Sequence, residues 1–245
     1  MTPDLGESLF VSDLHLAPER PATIALFLRF LAGRARPARQ LFILGDLFET
    51  WIGDDDDTAA YVEVRRALRA LTQSGTRCAL MRGNRDFLLG RAFCQDTGCT
   101  LLRDPSLHHF GGERTLLMHG DLLCTDDLAY QRFRRRIRNP LVTWLFQRKS
   151  LASRRAIAAD YRRKSGAATS AKSKNIMDVN PSTVADYLRR FRATRLIHGH
   201  THRPDEHQLM LAATSARRTV LAEWHEDRGE VLVHRAGHWH REGAD

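Results

Sequence analysis

Residues 40–57 read QLFILGDLFETWIGDDDD, and this stretch decides how the rest of the chain is interpreted. The apolar residues 41–44 predict a buried strand, and Gly45 and Asp46 follow at the point where that strand should end. Ligands of α/β proteins bind at the carboxyl ends of strands, so Asp46 is expected at a sheet edge where a site is built. A lone Asp at such a position is more often a turn or cap residue. The other strand ends therefore decide whether Asp46 belongs to a functional site.

Four further strand ends carry donor side chains of the same kinds. Each follows an apolar run, and the donors are Asp13 with His15, Asn84, His119, and His198 with His200. Five such strand ends are more simply explained by one shared site around Asp46 than by independent turns. The mixed oxygen and nitrogen donors suit manganese, iron or zinc and not calcium. Because a carboxylate can bridge two ions, we expect Asp46 to hold a pair of cations that activates water for phosphoryl hydrolysis.

The order of predicted elements indicates an α/β fold. A strand at residues 9–12, a helix from Pro21 to about Gly33 and the strand at residues 41–44 form a β-α-β start. The 245 residues fit one large domain, residues 1–245, better than two equal ones. Toward its end the chain predicts strands near residues 209–212, 220–224 and 231–234, which we expect to be antiparallel and to close a second sheet.

The composition changes between residues 131 and 174, where 14 Lys or Arg accompany one acidic residue, Asp160. This stretch interrupts the alternating pattern, so residues 126–180 are predicted to form a helical insertion, a lid. An apolar island, PLVTWLF at residues 140–146, lies inside it. Charge beside apolar surface suits a partner that has both phosphates and acyl chains, although a solvated helical face is the simpler reading of most single arginines.

The whole chain is basic, with 38 Lys or Arg against 29 Asp or Glu and a pI near 10.0. An anionic partner is therefore expected: nucleic acid, a phosphate-rich metabolite or an acidic membrane surface. The four cysteines form no CxxC pair, which indicates reduced thiols in a cytoplasmic protein. Neither a secretion signal nor a run of 18 apolar residues is present, so membrane contact is expected to be peripheral. GxSxG, P-loop and GxGxxG motifs are absent from the sequence.

These blocks resemble a known family. Asp13-x-His15, Gly45-Asp46, Gly83-Asn84, His119-Gly120 and His198-Gly-His match in order the five blocks of the calcineurin-like metallophosphoesterases. The chain has GDLFE and GNRD where that family has GDxxD and GNH[DE], so the histidine next to Asn84 is missing. With WIGDDD (51–56), GNRDF (83–87), LCTDD (123–127), AKSKNIMDVN (171–180) and HGHTHRP (198–204), these departures resemble the UDP-2,3-diacylglucosamine pyrophosphohydrolases of lipid A biosynthesis.

The resemblance implies a four-layer α-β-β-α sandwich with two mixed sheets, the helical lid and two Mn²⁺ ions. It implies cleavage of UDP-2,3-diacylglucosamine to UMP and 2,3-diacylglucosamine 1-phosphate by attack on the α-phosphorus. The implied setting is the cytoplasmic face of the inner membrane, with peripheral attachment, no nucleic acid and no obligate protein partner. Carried over to this sequence, one ion is expected on Asp13, His15, Asp46 and His200, and the other on Asp46, Asn84, His119 and His198. Substrate contacts are expected at Asn84, Arg85, Asp127, Ser165, Thr169, Lys172 and His198, and the residues central to catalysis are Asp46, Asn84, His119 and His198.

Two other functions fit parts of the sequence. A related phosphodiesterase or nuclease acting on nucleic acid would explain the high pI, but the basic residues concentrate beside an apolar island and no aromatic-interleaved strand platform accompanies them. A membrane adaptor with a purely structural metal needs a closed coordination shell, whereas this ligand set leaves positions open for water and substrate.

Overall fold

The computed structural model describes residues 6–170, 178–211 and 214–244, with only the backbone of residues 165–170. The strands are β1 Ser8–Val11, β2 Gln40–Leu44, β3 Arg77–Met81, β4 Thr100–Leu102, β5 Ser106–Phe110, β6 Glu113–Leu117, β7 Arg195–His198, β8 Asp205–Leu211, β9 Thr214–Val220, β10 Glu230–Arg235 and β11 His238–Gly243. The helices are α1 Pro21–Ala32, α2 Ala59–Gln73, α3 Arg91–Thr97, α4 Leu128–Ile137, α5 Pro140–Gln147, α6 Leu151–Ser170 and α7 Pro181–Phe191.

The chain forms two mixed sheets. The first has the order β11-β10-β1-β2-β3-β4, in which β1 to β4 are parallel and β10 runs antiparallel to β1. The second has the order β5-β6-β7-β9-β8, with β6, β7 and β9 parallel. Parallel neighbours place their carboxyl ends at one edge of a sheet, and this positions the loops after β1, β2, β3, β6 and β7 for a common site.

Three apolar clusters define four layers. The first joins one face of the first sheet to α1 and α2, with Phe27, Leu68 and Trp224 fully buried. The second lies between the two sheets and includes Phe10, whose ring stacks on Phe42 with centroids 4.9 Å apart. The third joins the outer face of the second sheet to α7. The predicted α-β-β-α sandwich is therefore confirmed.

The end of the chain differs from the prediction. Only β8 and β9 complete the second sheet, and β9 pairs parallel to β7. The following strands β10 and β11 return to the first sheet as an antiparallel edge. The continuous apolar run Val231-Leu232-Val233 of β10 indicates a buried strand but carries no information on which sheet it joins, so the sequence did not separate these two arrangements.

Helices α4, α5 and α6 occupy the predicted insertion. Neither α4 nor α5 has a buried residue, in contrast to α1 and α2, and the apolar residues Leu141 and Leu145 of α5 are more than half exposed. The structure thus contains the predicted helices, and their role as a lid stays a prediction. In the described part of the chain, no helix has both the length and the apolar character that crossing a bilayer requires.

The acidic residues 54–57 after β2 contact the starts of two helices, α3 and α6. Asp54 accepts hydrogen bonds from the backbone N–H groups of Gly90 and Phe93, which satisfies the start of α3. Asp55 pairs with the buried Arg154 of α6, and Asp56 lies 3.1 Å from Arg155. The run therefore attaches the beginning of α6 to the sheet domain.

Candidate metal centre

The donor side chains meet where strands of both sheets end, and the backbone there is unusual. Asp13, His15, Asp46, His200 and His202 have φ angles of 54°, 47°, 52°, 70° and 54°. Non-glycine residues rarely adopt this left-handed conformation, and such residues concentrate at functional sites because the fold must hold them there. The fold therefore holds these residues in backbone conformations that orient the donor side chains.

Two groups of potential ligands lie next to one another. Asp13, His15 and His202 form one group, and Asp46, His119 and His200 form the other, with the ligand atoms of each group within 4.8 Å of one another. In the first group His202 Nε2 lies 3.4 Å from Asp13 Oδ1 and 3.3 Å from His15 Nε2. We call these groups the first and the second metal cluster.

Asp46 faces both clusters. Its Oδ1 atom lies 3.8 Å from Nε2 of His119, and its Oδ2 atom lies 3.8 Å from Nε2 of His15. The backbone N–H of Arg85 donates to Oδ1 and fixes the carboxylate. A Cβ atom at Gly83 would lie 2.0 Å from this Oδ1, so the glycine before Asn84 is needed to let the two loops approach. This arrangement suits the predicted bridging carboxylate.

Three of the histidines have a hydrogen-bond acceptor next to Nδ1, which orients the ring. The Nδ1 atoms of His15 and His202 lie 2.7 and 2.9 Å from carboxylate oxygens of Glu49 and Glu223. His119 Nδ1 lies 2.9 Å from the carbonyl oxygen of Leu44. When Nδ1 donates its proton to such an acceptor, the Nε2 lone pair is free to bind a metal ion.

Asn84 belongs to the second cluster. Its Oδ1 atom lies 3.0 Å from Nε2 of His119 and 2.8 Å from Nδ1 of His200. The amide oxygen and the two imidazole nitrogens therefore converge on one point, together with Asp46. This convergence agrees with the predicted role of Asn84 as an oxygen ligand.

The residues fit a pair of divalent cations. Asp13 Oδ2 accepts from Ser12 Oγ and from the backbone N–H of His200, whereas its buried Oδ1 has no hydrogen bond of good geometry. Burial opposes protonation of His202, yet Asp13 and Glu223 raise its pKa to about 10. Burial likewise opposes protonation of His119, but Asp46 and Asp121 raise its pKa to about 9. Buried carboxylates that draw protons onto neighbouring imidazoles supply the negative charge that a cation would neutralise.

The structure places the histidines of HGHTH differently from the prediction. His200, which we expected next to Asp13 and His15, belongs to the second cluster, and the first cluster takes His202 instead. His198 is fully buried and lies in neither cluster: its Nδ1 atom is 2.8 Å from the carbonyl oxygen of Gly199, and its Nε2 atom has no hydrogen bond. Burial lowers the pKa of His198 to about 3, so it stays neutral. His202 was not among the predicted ligands, although its spacing from His200 repeats that of Asp13 and His15.

A groove lies between Asn84, next to the second metal cluster, and the helical insertion. This cavity, of about 430 Å³, is lined on one side by Asn84 and Arg85 and on the other by apolar residues of α5 such as Leu145 and Phe146. We call it the insertion groove. Arg134 of α4 and Arg162 of α6 also line it, so basic groups stand near its polar end. Trp144 does not line the groove; it is half exposed and stacks against the guanidinium of Arg148.

The remaining predicted substrate contacts have mixed outcomes. Arg85 lines the groove as expected. Asp127 is buried and caps helix α4, accepting from the backbone N–H of Tyr130. The side chains of Ser165 and Thr169, and all of Lys172, lie outside the described residues.

A buried acid that the sequence analysis did not single out ties α4 to the centre. Asp121 Oδ2 accepts from Tyr130 Oη at 3.1 Å, Arg134 Nε at 2.6 Å and Arg138 at 3.3 Å. Burial opposes ionisation, but His119 and the two arginines hold the pKa of Asp121 well below its usual range. The signal was present in the sequence, since Asp121 follows His119 and Gly120 directly.

Comparisons with known proteins show which family the chain belongs to. A family model described as calcineurin-like phosphoesterase matches residues 8–204. A relative from Pseudomonas paraeruginosa named UDP-2,3-diacylglucosamine hydrolase is 50% identical over 230 residues, which are 94% of this chain and 96% of the relative. Relatives of the same name from Azotobacter vinelandii (94% and 96% covered) and Enterobacter sp. strain 638 (92% and 94% covered) are each 48% identical. Among solved structures, an archaeal phosphodiesterase covers 97% of this chain and 99% of its own with a TM-score of 0.48 and 8% identity.

Proposed function

Because the chain belongs to the calcineurin-like phosphoesterase family, we propose that it hydrolyses the pyrophosphate bond of UDP-2,3-diacylglucosamine and releases UMP and 2,3-diacylglucosamine 1-phosphate. The observation that carries the proposal is the largely apolar insertion groove, which is lined by Asn84, a residue that contacts His119 and His200 of the second metal cluster. A substrate with two acyl chains and a pyrophosphate requires both parts side by side.

We assign the ligands from the geometry. Asp13, His15, Asp46 and His202 would hold one cation, and Asp46, Asn84, His119 and His200 the other. A bound pair of Mn²⁺ ions would neutralise phosphoryl charge and make a bound water acidic near neutral pH. Manganese is our choice because the resemblance to the pyrophosphohydrolases implies it, and the mixed oxygen and nitrogen donor set without thiolates suits it.

The chain's own residues would place the substrate. Leu145 and Phe146 offer apolar surface to the acyl chains, while Arg85, Arg134 and Arg162 supply positive charge for the part of the pyrophosphate away from the ligands. Arg85 follows Asn84 in the chain, so the histidine that the family has at that position and that could protonate a leaving group is missing. We propose attack of water at the α-phosphorus, next to uridine, because the resemblance to the pyrophosphohydrolases implies it. The lipid phosphate then leaves as a phosphate monoester, which needs little protonation, so the missing histidine costs little.

We also propose that the protein works at the cytoplasmic surface of the inner membrane through peripheral contact. Leu141 and Trp144 are 63% and 49% exposed on α5, and arginines of α4 flank them. Exposed apolar side chains with basic neighbours are typical of segments that lie on anionic bilayers. Binding to vesicles with and without anionic lipid tests this location.

The decisive experiment gives metal-free protein two substrates as Mn²⁺ is added: UDP-2,3-diacylglucosamine and single-stranded DNA. We expect metal-dependent release of UMP from the first and no cleavage of the second. Preferential cleavage of DNA would favour the alternative nuclease function that the high pI suggests. Metal binding without hydrolysis of either would favour a structural metal.

A further inference from the structure

Glu49 is the only residue of the GDLFE block that contacts both the first metal cluster and the helical insertion within the described part of the chain. Its Oε2 atom lies 2.7 Å from Nδ1 of His15, while its Oε1 atom lies 3.3 Å from Nε of Arg162 on α6 and 3.9 Å from Arg85. One oxygen of the carboxylate therefore contacts His15, a proposed metal ligand, and the other contacts Arg162 of the helical insertion.

The backbone fixes Glu49 in this position. The segment after β2 runs parallel to the segment after β1, with a bridge between Leu16 and Phe48, and the N–H of Glu49 donates to the carbonyl oxygen of Leu16 at 3.0 Å. The Glu49 side chain is 17% exposed and that of His15 is 7% exposed, so their hydrogen bond is shielded from water. Arg162 is 44% exposed and approaches from the solvent side.

We infer that Glu49 is a positioning residue that couples the docking of helix α6 to the binding of the cation held by Asp13, His15 and His202. Docked Arg162 holds the carboxylate toward His15, and the carboxylate fixes the tautomer and ring angle that present Nε2 to the ion. The inference rests on the metal site proposed above. Coupling between two binding events is reciprocal, so the cation must in turn favour the docked position of α6.

The structure separates this contact from the attachment of α6 itself. Arg154, at the start of the helix, is buried and pairs with Asp55 and the carbonyl oxygen of Ile52. Removing the Arg162 side chain therefore leaves the helix anchored at its start and breaks the link to Glu49 only. Arg163 is a matched control, because it is 78% exposed and pairs with Asp160 on the same helix.

The test measures Mn²⁺ binding to metal-free protein by titration calorimetry and by the electron paramagnetic resonance signal of free Mn²⁺. We expect Glu49→Gln to weaken one of the two sites about 10- to 100-fold and to leave the other nearly unchanged. Arg162→Gln should weaken the same site about 2- to 5-fold, because the pair is partly exposed. Arg162→Lys should recover part of that loss, and Arg163→Gln should bind like the wild type.

Two further measurements complete the test. Adding Arg162→Gln to Glu49→Gln should cause no additional loss, since both act through one contact. Mn²⁺ should slow hydrogen exchange in α6 of the wild type more than in Glu49→Gln. A melting temperature near that of the wild type shows that each variant is folded, and if Glu49→Gln fails to fold, the Arg162 variants decide alone.

The outcomes distinguish the inference from the proposed function. If wild-type protein binds no divalent cation, the metal site and the proposed function both fail. If it binds two cations but Arg162→Gln equals Arg163→Gln, the function stands and the coupling is overturned. Unchanged affinity in Glu49→Gln at both sites would overturn the positioning role itself.

Discussion

Leu145→Ser is the cleanest test of whether the insertion groove binds acyl chains. Leu145 lines the groove and is 52% exposed, so an acyl chain can cover it without any change in the protein core. Phe146 lines the same groove but also packs against the core of the first sheet, and its loss would reduce stability as well. Leu141, on the same helix, is 63% exposed and does not line the groove, which makes Leu141→Ser the control.

The size of the effect follows from the exposed surface. Burying a whole leucine side chain contributes about 1.5 to 3 kcal/mol, and roughly half of Leu145 remains to be buried by substrate. We therefore expect a loss of about 1 kcal/mol, which corresponds to a rise of about fivefold in KM for the diacylated substrate. Because Leu145 is remote from the phosphoryl group, kcat should change little.

The assay compares UDP-2,3-diacylglucosamine in detergent with a water-soluble phosphodiester such as bis(p-nitrophenyl) phosphate. Leu145→Ser should raise KM for the first and leave the second unaffected, and Leu141→Ser should affect neither. Equal losses on both substrates would show that the side chain supports the fold of the insertion, and the acyl-groove assignment would be abandoned.

Three further predictions concern the bridging role of Asp46, the buried carboxyl group of Asp104 and the phosphorus atom that water attacks. Asp46→Asn should lose activity at any Mn²⁺ concentration, because Asp46 faces both clusters, whereas excess Mn²⁺ should partly restore His15→Asn; equal rescue of both contradicts bridging. Burial and the neighbouring Asp121 raise the pKa of Asp104 from 3.8 to about 6, so its charge destabilises the folded state above pH 6 and stops doing so below pH 4. Asp104→Asn should thus add about 2 to 3 kcal/mol to the unfolding free energy at pH 7.5 and almost nothing at pH 4. Urea denaturation at both pH values measures this, and a difference between variant and wild type that does not depend on pH would show that the charge of Asp104 is not what destabilises the fold. Hydrolysis in ¹⁸O-labelled water should label UMP; label in the lipid product would mean attack at the β-phosphorus.

Much of the fold was predictable because its signals are local. The limits of β2, β4 and α7 follow from short apolar runs and from Asn180, whose side chain accepts from the N–H of Thr183 as a helix cap should. The start of α3 at Arg91 depends on Asp54, which lies in a distant loop and accepts from the backbone N–H groups of Gly90 and Phe93. The return of β10 to the first sheet likewise depends on partners far along the chain. Sequence periodicity cannot supply either.

The donor set of the centre was predictable for a related reason. Asp13, Asp46 and His119 lie two residues after a strand and Asn84 lies three residues after one. Parallel strands bring such positions together. The contacts behind the ligands were not predictable in the same way. Glu223 lies in the loop after β9, and its approach to His202 requires the full path of both sheets.

The histidines of HGHTH show why residue types alone did not identify all the residues of the metal clusters. In an extended strand, residues 198, 200 and 202 would all point to one side, so the sequence offers no reason to prefer any two of them. The strand β7 ends at His198, and the chain then takes left-handed conformations at His200 and His202, with φ of 70° and 54°. Asp13 and His15 show the same pair of left-handed residues, two positions apart, immediately beyond β1. One backbone arrangement that begins just after a strand has ended is therefore repeated at Asp13 with His15 and at His200 with His202. His198, which is still inside its strand, lies in neither metal cluster.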